Sequence, residues 1–291
     1  MTKKQHYLPQ FYLDNFTNNK GKLWIYDQLK RNIFTSSPRD IACENYLYET
    51  RWENANPDLG DFVLPNQIEK KFAEQEGRYS KLLKRIVSIC TNTQNKKALI
   101  CNREEKEILA SFISNIYLRN PWSMRQADLD CVTDGIMDVK EIKDIDKMLQ
   151  LMEFGGMESL VKCASKMVWL DENFNGSVQQ EAKRDLLGVK FCIMIAEKGQ
   201  FITSSYPVLC GINEMSVEED KVIYCPLHPK IALLYSDTLP RKSKNRMVLM
   251  SEDAINCCNA RYFKLGKEQL RFVYAKEKMI LEQIIKRNEY F

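Results

Sequence analysis

QHYLPQFYLDNF, residues 5–16, is the stretch from which the fold is read. It holds one of only two histidines, His6, beside Tyr7, Pro9 and Gln10, followed by an apolar and aromatic set at Leu8, Phe11, Tyr12, Leu13 and Phe16. The first residues of a chain usually fray, but a segment this aromatic would forfeit too much burial by doing so. The expectation is that it is tied into the core with His6 held in a defined place.

Outward from it, LWIYDQ (23–28) and IFTSS (33–37) read as two strands of a hairpin, with a turn signal at 18–21 and a polar turn at 29–32. Ser37-Pro38-Arg39-Asp40 opens a short helix and ENYLYE (44–49) returns to extended chain. The polar run 50–65 reads as a surface loop. Asn66 is placed as the N-cap of a long helix whose apolar positions Ile68, Phe72, Tyr79, Leu82, Leu83, Ile86 and Val87 keep helical spacing, with a kink or close packing at Gly77. A second long helix runs from about Arg103 to near Arg119 and breaks at Pro121, because the residue before a proline is biased away from helix. Helical patterns resume at 123–132, 139–153 and 157–168. Beyond Leu187, residues 189–205 read as two strands turning at Glu197-Lys198-Gly199. VIYCPL (222–227) and KIALLYS (230–236) are two more, Ser251 caps a further helix, and RFVYA (271–275) precedes a terminal helix over 276–288. The order β, α, β predicts an α+β fold. It has a central helical bundle flanked by antiparallel sheet built from the N- and C-terminal thirds. The expectation is one domain, 1–291, with a helical subregion over about 66–168 and a β-rich subregion over about 185–291 packing with 1–65.

At 291 residues and 44% hydrophobic content the chain can bury a sizeable core. A net charge of +4 permits contact with nucleic acid without requiring it. The ten cysteines are scattered through apolar runs with no CxxC pair, which argues against a zinc knuckle or a redox motif and for small buried hydrophobes. Together with a basic start lacking an apolar leader run, this predicts a reducing, cytoplasmic compartment. No apolar stretch reaches the about 18 residues that span a bilayer, so no membrane is expected. GxxxxGK[ST], GxGxxG, GxSxG and HExxH are all absent, and two histidines exclude a histidine-rich metal site.

Several landmarks, in this order, resemble a bacterial family, domain of unknown function 4238. The opening HYxPQFYLxxF stands at His6 to Phe16, an asparagine-to-tyrosine step at Asn45 to Tyr48, and paired helical glutamates at Glu69 and Glu76. Arg119-Asn120-Pro121 is followed by Arg125, a "TSDxP" turn is similar to Thr203–Pro207, and "PLSP" is similar to Pro226–Pro229. The chain departs from the pattern at Ser205, where the family often has Asp, and at His228, where it has Ser. The resemblance implies no assigned activity; it suggests an antiphage-defence setting.

Glu69 and Glu76, seven apart, share one helix face. They suit a divalent cation, Mg²⁺ or Mn²⁺, or acid–base work; they equally suit a solvated helix edge. Arg119 before its proline fits phosphate recognition or carbonyl capping. His6 fits a general base, a metal ligand or a core histidine. Cys225 lies three residues before His228, the spacing of a conceivable cysteine–histidine pair. Arg241, Lys242, Lys244 and Arg246 on the basic loop 240–246 offer a nucleic-acid contact or a solvated loop. Two readings follow: a cytoplasmic defence or toxin protein acting as a metal-dependent nuclease on RNA or DNA through His6, Glu69, Glu76 and Arg119; or a non-enzymatic sensor or module that binds a protein partner.

Overall fold

The opening segment does enter the core. In the computed structural model, which describes residues 2–56, 60–92, 101–125, 157–173, 176–212, 221–239, 247–267 and 269–288, Leu8, Tyr12, Leu13 and Phe16 are completely buried. Strand β1 (Lys4–His6) leads into a single helical turn, α1 (Gln10–Asp14), and β1 pairs antiparallel with β4 (Cys43–Asn45). Before β4, Ser37 opens only a 3-10 turn over Pro38–Asp40, shorter than the helix expected there.

Two larger sheets carry most of the remaining β structure among the described residues. Strands β2 (Leu23–Asp27) and β3 (Asn32–Ser36) form the expected hairpin. With β13 (Phe272–Ala275) and β8 (Thr203–Ser204) they make an antiparallel sheet in the order β3-β2-β13-β8, drawn from both ends of the chain. A five-stranded sheet runs β12 (Met247–Met250), β7 (Phe191–Ala196), β11 (Ile231–Ser236), β10 (Lys221–His228), β9 (Leu209–Ile212), antiparallel except for the β12–β7 pair. Alternation along these strands sends successive side chains to opposite faces, and here both faces are buried. Leu23 and Ile25, Phe191 and Ile193, and Leu233 and Tyr235 enter one core with the opening segment and the long helices α2 (Gln67–Thr91) and α3 (Arg103–Leu118). Their neighbours Trp24 and Tyr26, Cys192 and Met194, and Ala232 and Leu234 enter a second core under α6 (Glu252–Lys264) and α7 (Lys278–Asn288). Burial on both faces explains why these strands read as near-continuous apolar runs. The architecture is α+β, as expected.

Helix α3 starts from a capping box: the Asn102 side chain accepts from Glu105 N, and the Glu105 carboxylate accepts from Asn102 N. Two further helices, α4 (Met157–Leu170) and α5 (Val178–Gly188), pack on the helical side, with α5 capped by Ser177.

Four readings are corrected. The run 50–65 is a hairpin, β5 (Thr50–Asn56) with β6 (Gly60–Val63), whose Trp52 and Val63 pack on Cys163 of α4; its interspersed polar residues hide the alternation. Asn66 stands at the N-cap position of α2 as expected, but with φ +62° and no capping bond from its side chain, which accepts from Thr2 N while its own N–H donates to Glu49. Gly77 sits in open space inside an uninterrupted helix. The two strands read in 189–205 are β7 and β8, but they do not pair with each other: they join different sheets after Phe201 N donates to Pro229 O and Ile202 N to Asn259 Oδ1. The linker 93–97 and the helical patterns of 126–156 lie outside the described residues.

Candidate functional site

Pro121 stops α3 from continuing, and the helix ends at Arg119 with φ −79° and ψ 0°. Asn120 then carries the chain into the helical turn 121–125, its Oδ1 accepting from Trp122 N. This geometry turns Arg119 inward, where it is 2% exposed. Its Nε donates to Tyr7 O at 3.0 Å and its Nη2 to His6 O at 2.6 Å. Its Nη1 donates to Asn115 Oδ1 and to Glu76 Oε1, both at 3.1 Å. The guanidinium plane lies 4.5 Å from the Phe72 ring centroid. Burial opposes the charge, but the Glu76 and Glu69 carboxylates and the bond to Glu76 outweigh it, so the arginine pKa is raised and the cation is held.

The structure therefore brings His6, Glu69, Glu76 and Arg119 into one neighbourhood, with roles that differ from residue to residue. His6 meets Arg119 through its main-chain carbonyl, which also accepts from Tyr48 Oη at 3.0 Å. Its ring points elsewhere, Nε2–H donating to Arg39 O at 3.1 Å, and burial lowers its pKa. Glu76 is the ion-pair partner of Arg119 and keeps 30% of its side chain exposed. Glu69 has its carboxyl pKa raised by burial, against the pull of Arg119 and with help from Glu76 and Glu49. Among the described residues, no three His, Cys, Asp or Glu side chains are grouped to hold a metal ion. A cation at Glu69 and Glu76 would compete with the Arg119 guanidinium for Glu76. The basic loop with Arg241, Lys242, Lys244 and Arg246 lies outside the described residues.

The cysteine–histidine pair does not form. Cys225 is 1% exposed, burial pushes its thiol pKa up, and Sγ donates to Pro226 O. His228 sits at a register shift in β10, its Nδ1 accepting from Lys230 N at 3.1 Å, which requires that nitrogen unprotonated. Burial first, then Lys276 and Lys230, lower its pKa from 6.5 to about 4. A histidine neutral in the fold and protonated when unfolded supports the fold fully above about pH 6.5; that support is lost as pH falls towards 4. Urea midpoints measured from pH 7 to pH 4 should therefore fall less steeply in His228→Gln than in the wild type. Parallel curves would show that His228 does not set the slope.

Behind the Arg119 turn lies an open cleft of about 500 Å³. Tyr7, Asn120, Pro121, Arg125 and Ser205 line it, together with Trp122 and Arg271. Asn120 Nδ2 donates to Ser205 O at 2.5 Å, and Arg271 Nη2 donates to Asp27 Oδ2 at 3.0 Å while stacking 4.7 Å from the Phe272 ring centroid. Ala42, also on its wall, holds φ +54°, an L-residue strain of about 1–3 kcal/mol kept in place by the β1–β4 pairing.

A family model described as "Protein of unknown function (DUF4238)" matches residues 4–278. The chain belongs to the DUF4238 family. No curated protein and no solved structure matches it.

The DUF4238 landmarks meet in space. Tyr12 Oη donates to Pro226 O at 2.7 Å and shares a 2.6 Å bond with Thr203 Oγ1, while Asn15 Nδ2 donates to Leu227 O at 3.1 Å. The opening motif of this DUF4238 chain thus grips both late turns. Ser205 pins β8 to β13: its N–H donates to Phe272 O at 2.7 Å and its Oγ accepts from Phe272 N at 3.2 Å. An aspartate carboxylate would accept that same bond, so the Ser205 departure preserves the acceptor. His228 is likewise tolerated because the landmark around it serves through main-chain carbonyls at Pro226 and Leu227. What sequence reading missed is the cleft: Trp122, Lys267 and Arg271 sit far apart in the chain, and no spacing joins them. The one signal was Arg125, following Arg119-Asn120-Pro121.

Proposed function

We propose that this DUF4238 protein is a non-enzymatic recognition module whose binding surface is the cleft behind Arg119. The observation that carries this reading is the fate of the guanidinium. In a phosphate-cleaving site it would face substrate, whereas here it is 2% exposed and donates four hydrogen bonds to its own chain. An arginine so committed positions the opening segment and the Asn120 turn, which in turn shape the cleft. A sensor or partner-binding component of a bacterial defence system is the setting the family resemblance suggests.

The metal-dependent nuclease reading retains one supporting observation, the raised carboxyl of half-buried Glu69 beside Glu76. Purified protein, with Glu69→Ala and Glu76→Ala singly and together, is incubated with plasmid and total RNA, with and without Mg²⁺ or Mn²⁺. The recognition reading expects the same background in every lane. Metal-dependent cleavage by the wild type that disappears in a folded variant would overturn it.

A further inference from the structure

The cleft contains more chemistry than the Arg119 turn needs. Arg125 and Lys267 are exposed and, among the described residues, neither is in an ion pair; Arg125 lies 5.9 Å from the Trp122 ring centroid. Arg271, 43% exposed, adds a third cation partly balanced by Asp27. These positive groups come from the helical turn 121–125 and from the segment 267–272, whereas the carboxylates Asp40 and Glu44 come from the segment leading into and along β4. Trp122 and Phe34, both half-exposed, add aromatic rings to the lining. The volume, about 500 Å³, falls within the roughly 300–1,000 Å³ typical of small-ligand sites.

We infer that this cleft binds a nucleoside phosphate, with Arg125 and Lys267 receiving the phosphate and Trp122 offering a stacking face to the base. Paired cations recognise phosphate through charge-assisted hydrogen bonds, and an indole stacks on any base. Asp40 and Glu44 repel the phosphate and accept hydrogen bonds from sugar hydroxyls or base amines, which orients the ligand. The inference rests on the recognition reading. A free nucleotide and the phosphorylated end of a strand share this chemistry.

Isothermal titration of the full chain with 5′-AMP, adenosine, inorganic phosphate and a 5′-phosphorylated tetranucleotide tests it, beside the double variant Arg125→Glu, Lys267→Glu. The expected result is AMP binding with Kd below about 1 mM. Adenosine and phosphate alone should bind about tenfold more weakly, and the double variant should lose about tenfold for AMP with an unchanged melting midpoint. Tetranucleotide binding equal to AMP identifies a strand end as the source, and its failure beside AMP binding identifies the free nucleotide; either supports the site. AMP binding no tighter than adenosine, or equal in the variant, overturns it. Cleavage of the tetranucleotide with Mg²⁺ beside intact AMP binding would overturn the recognition reading and leave the site standing, so the two failures are distinct.

Discussion

Arg119→Met is expected to lower unfolding free energy by about 3–5 kcal/mol, the loss typical of removing one partner from a buried charged network. Methionine fills much of the same volume, so the loss reads the polar network rather than a void. Without the guanidinium, the Tyr7 carbonyl and the Asn115 amide oxygen lose the Arg119 donor inside the protein, and the His6 carbonyl keeps only the Tyr48 hydroxyl. Glu76, 30% exposed, recovers water and contributes little, so Glu76→Gln should cost under about 1 kcal/mol. Lysine does not rescue Arg119, because a single ammonium cannot fork to four acceptors. Urea denaturation of the three variants gives the comparison. A loss in Arg119→Met below about 1 kcal/mol would mean that the arginine is not a structural clamp and would return it to the ligand-binding candidates.

Phe112→Ala is expected to cost about 3–5 kcal/mol, combining lost transfer energy with a cavity that three rigid neighbours cannot collapse into. Phe112, 2% exposed, has ring centroids of Phe11, Tyr12 and Tyr79 at 5.8, 6.0 and 5.5 Å. It is the point where α3 meets both the opening segment and α2. Phe112→Leu keeps most of the volume and should cost less than half as much. Similar midpoints for the two variants would place the lost energy in the aromatic contacts rather than the cavity.

How far the sequence could be read depends on where each signal resides. Helical periodicity disclosed α2 and α3, and apolar runs bounded by turn residues disclosed the β2–β3 hairpin and the β10–β11 pair. Helix α5 stayed hidden because VQQEAKRDLLG buries only Gln179 and Leu186, too few for a stripe. Hairpin β5–β6 was masked by polar residues between Trp52 and Val63. Of the candidate site, the residue types were legible, but neither their meeting in space nor their direction. Arg119 touches His6 through a carbonyl, and nothing in the side-chain sequence marks that. The cleft needed tertiary pairing to assemble residues 7, 122, 205 and 271.

The bonds from Tyr12 to Thr203 and Pro226 also set a clock on synthesis. Tyr12 and Thr203 are 191 residues apart, a span that a ribosome working at about 5–20 residues per second takes roughly 10–40 s to make. Through that interval the aromatic opening segment has no β8, β10 or β13 to seat against. Contacts of such long range make folding slow and expose apolar surface meanwhile. The newborn chain is therefore most vulnerable to aggregation before its last third emerges, and a chaperone that shields residues 7–16 would raise its yield more than one acting on the finished fold.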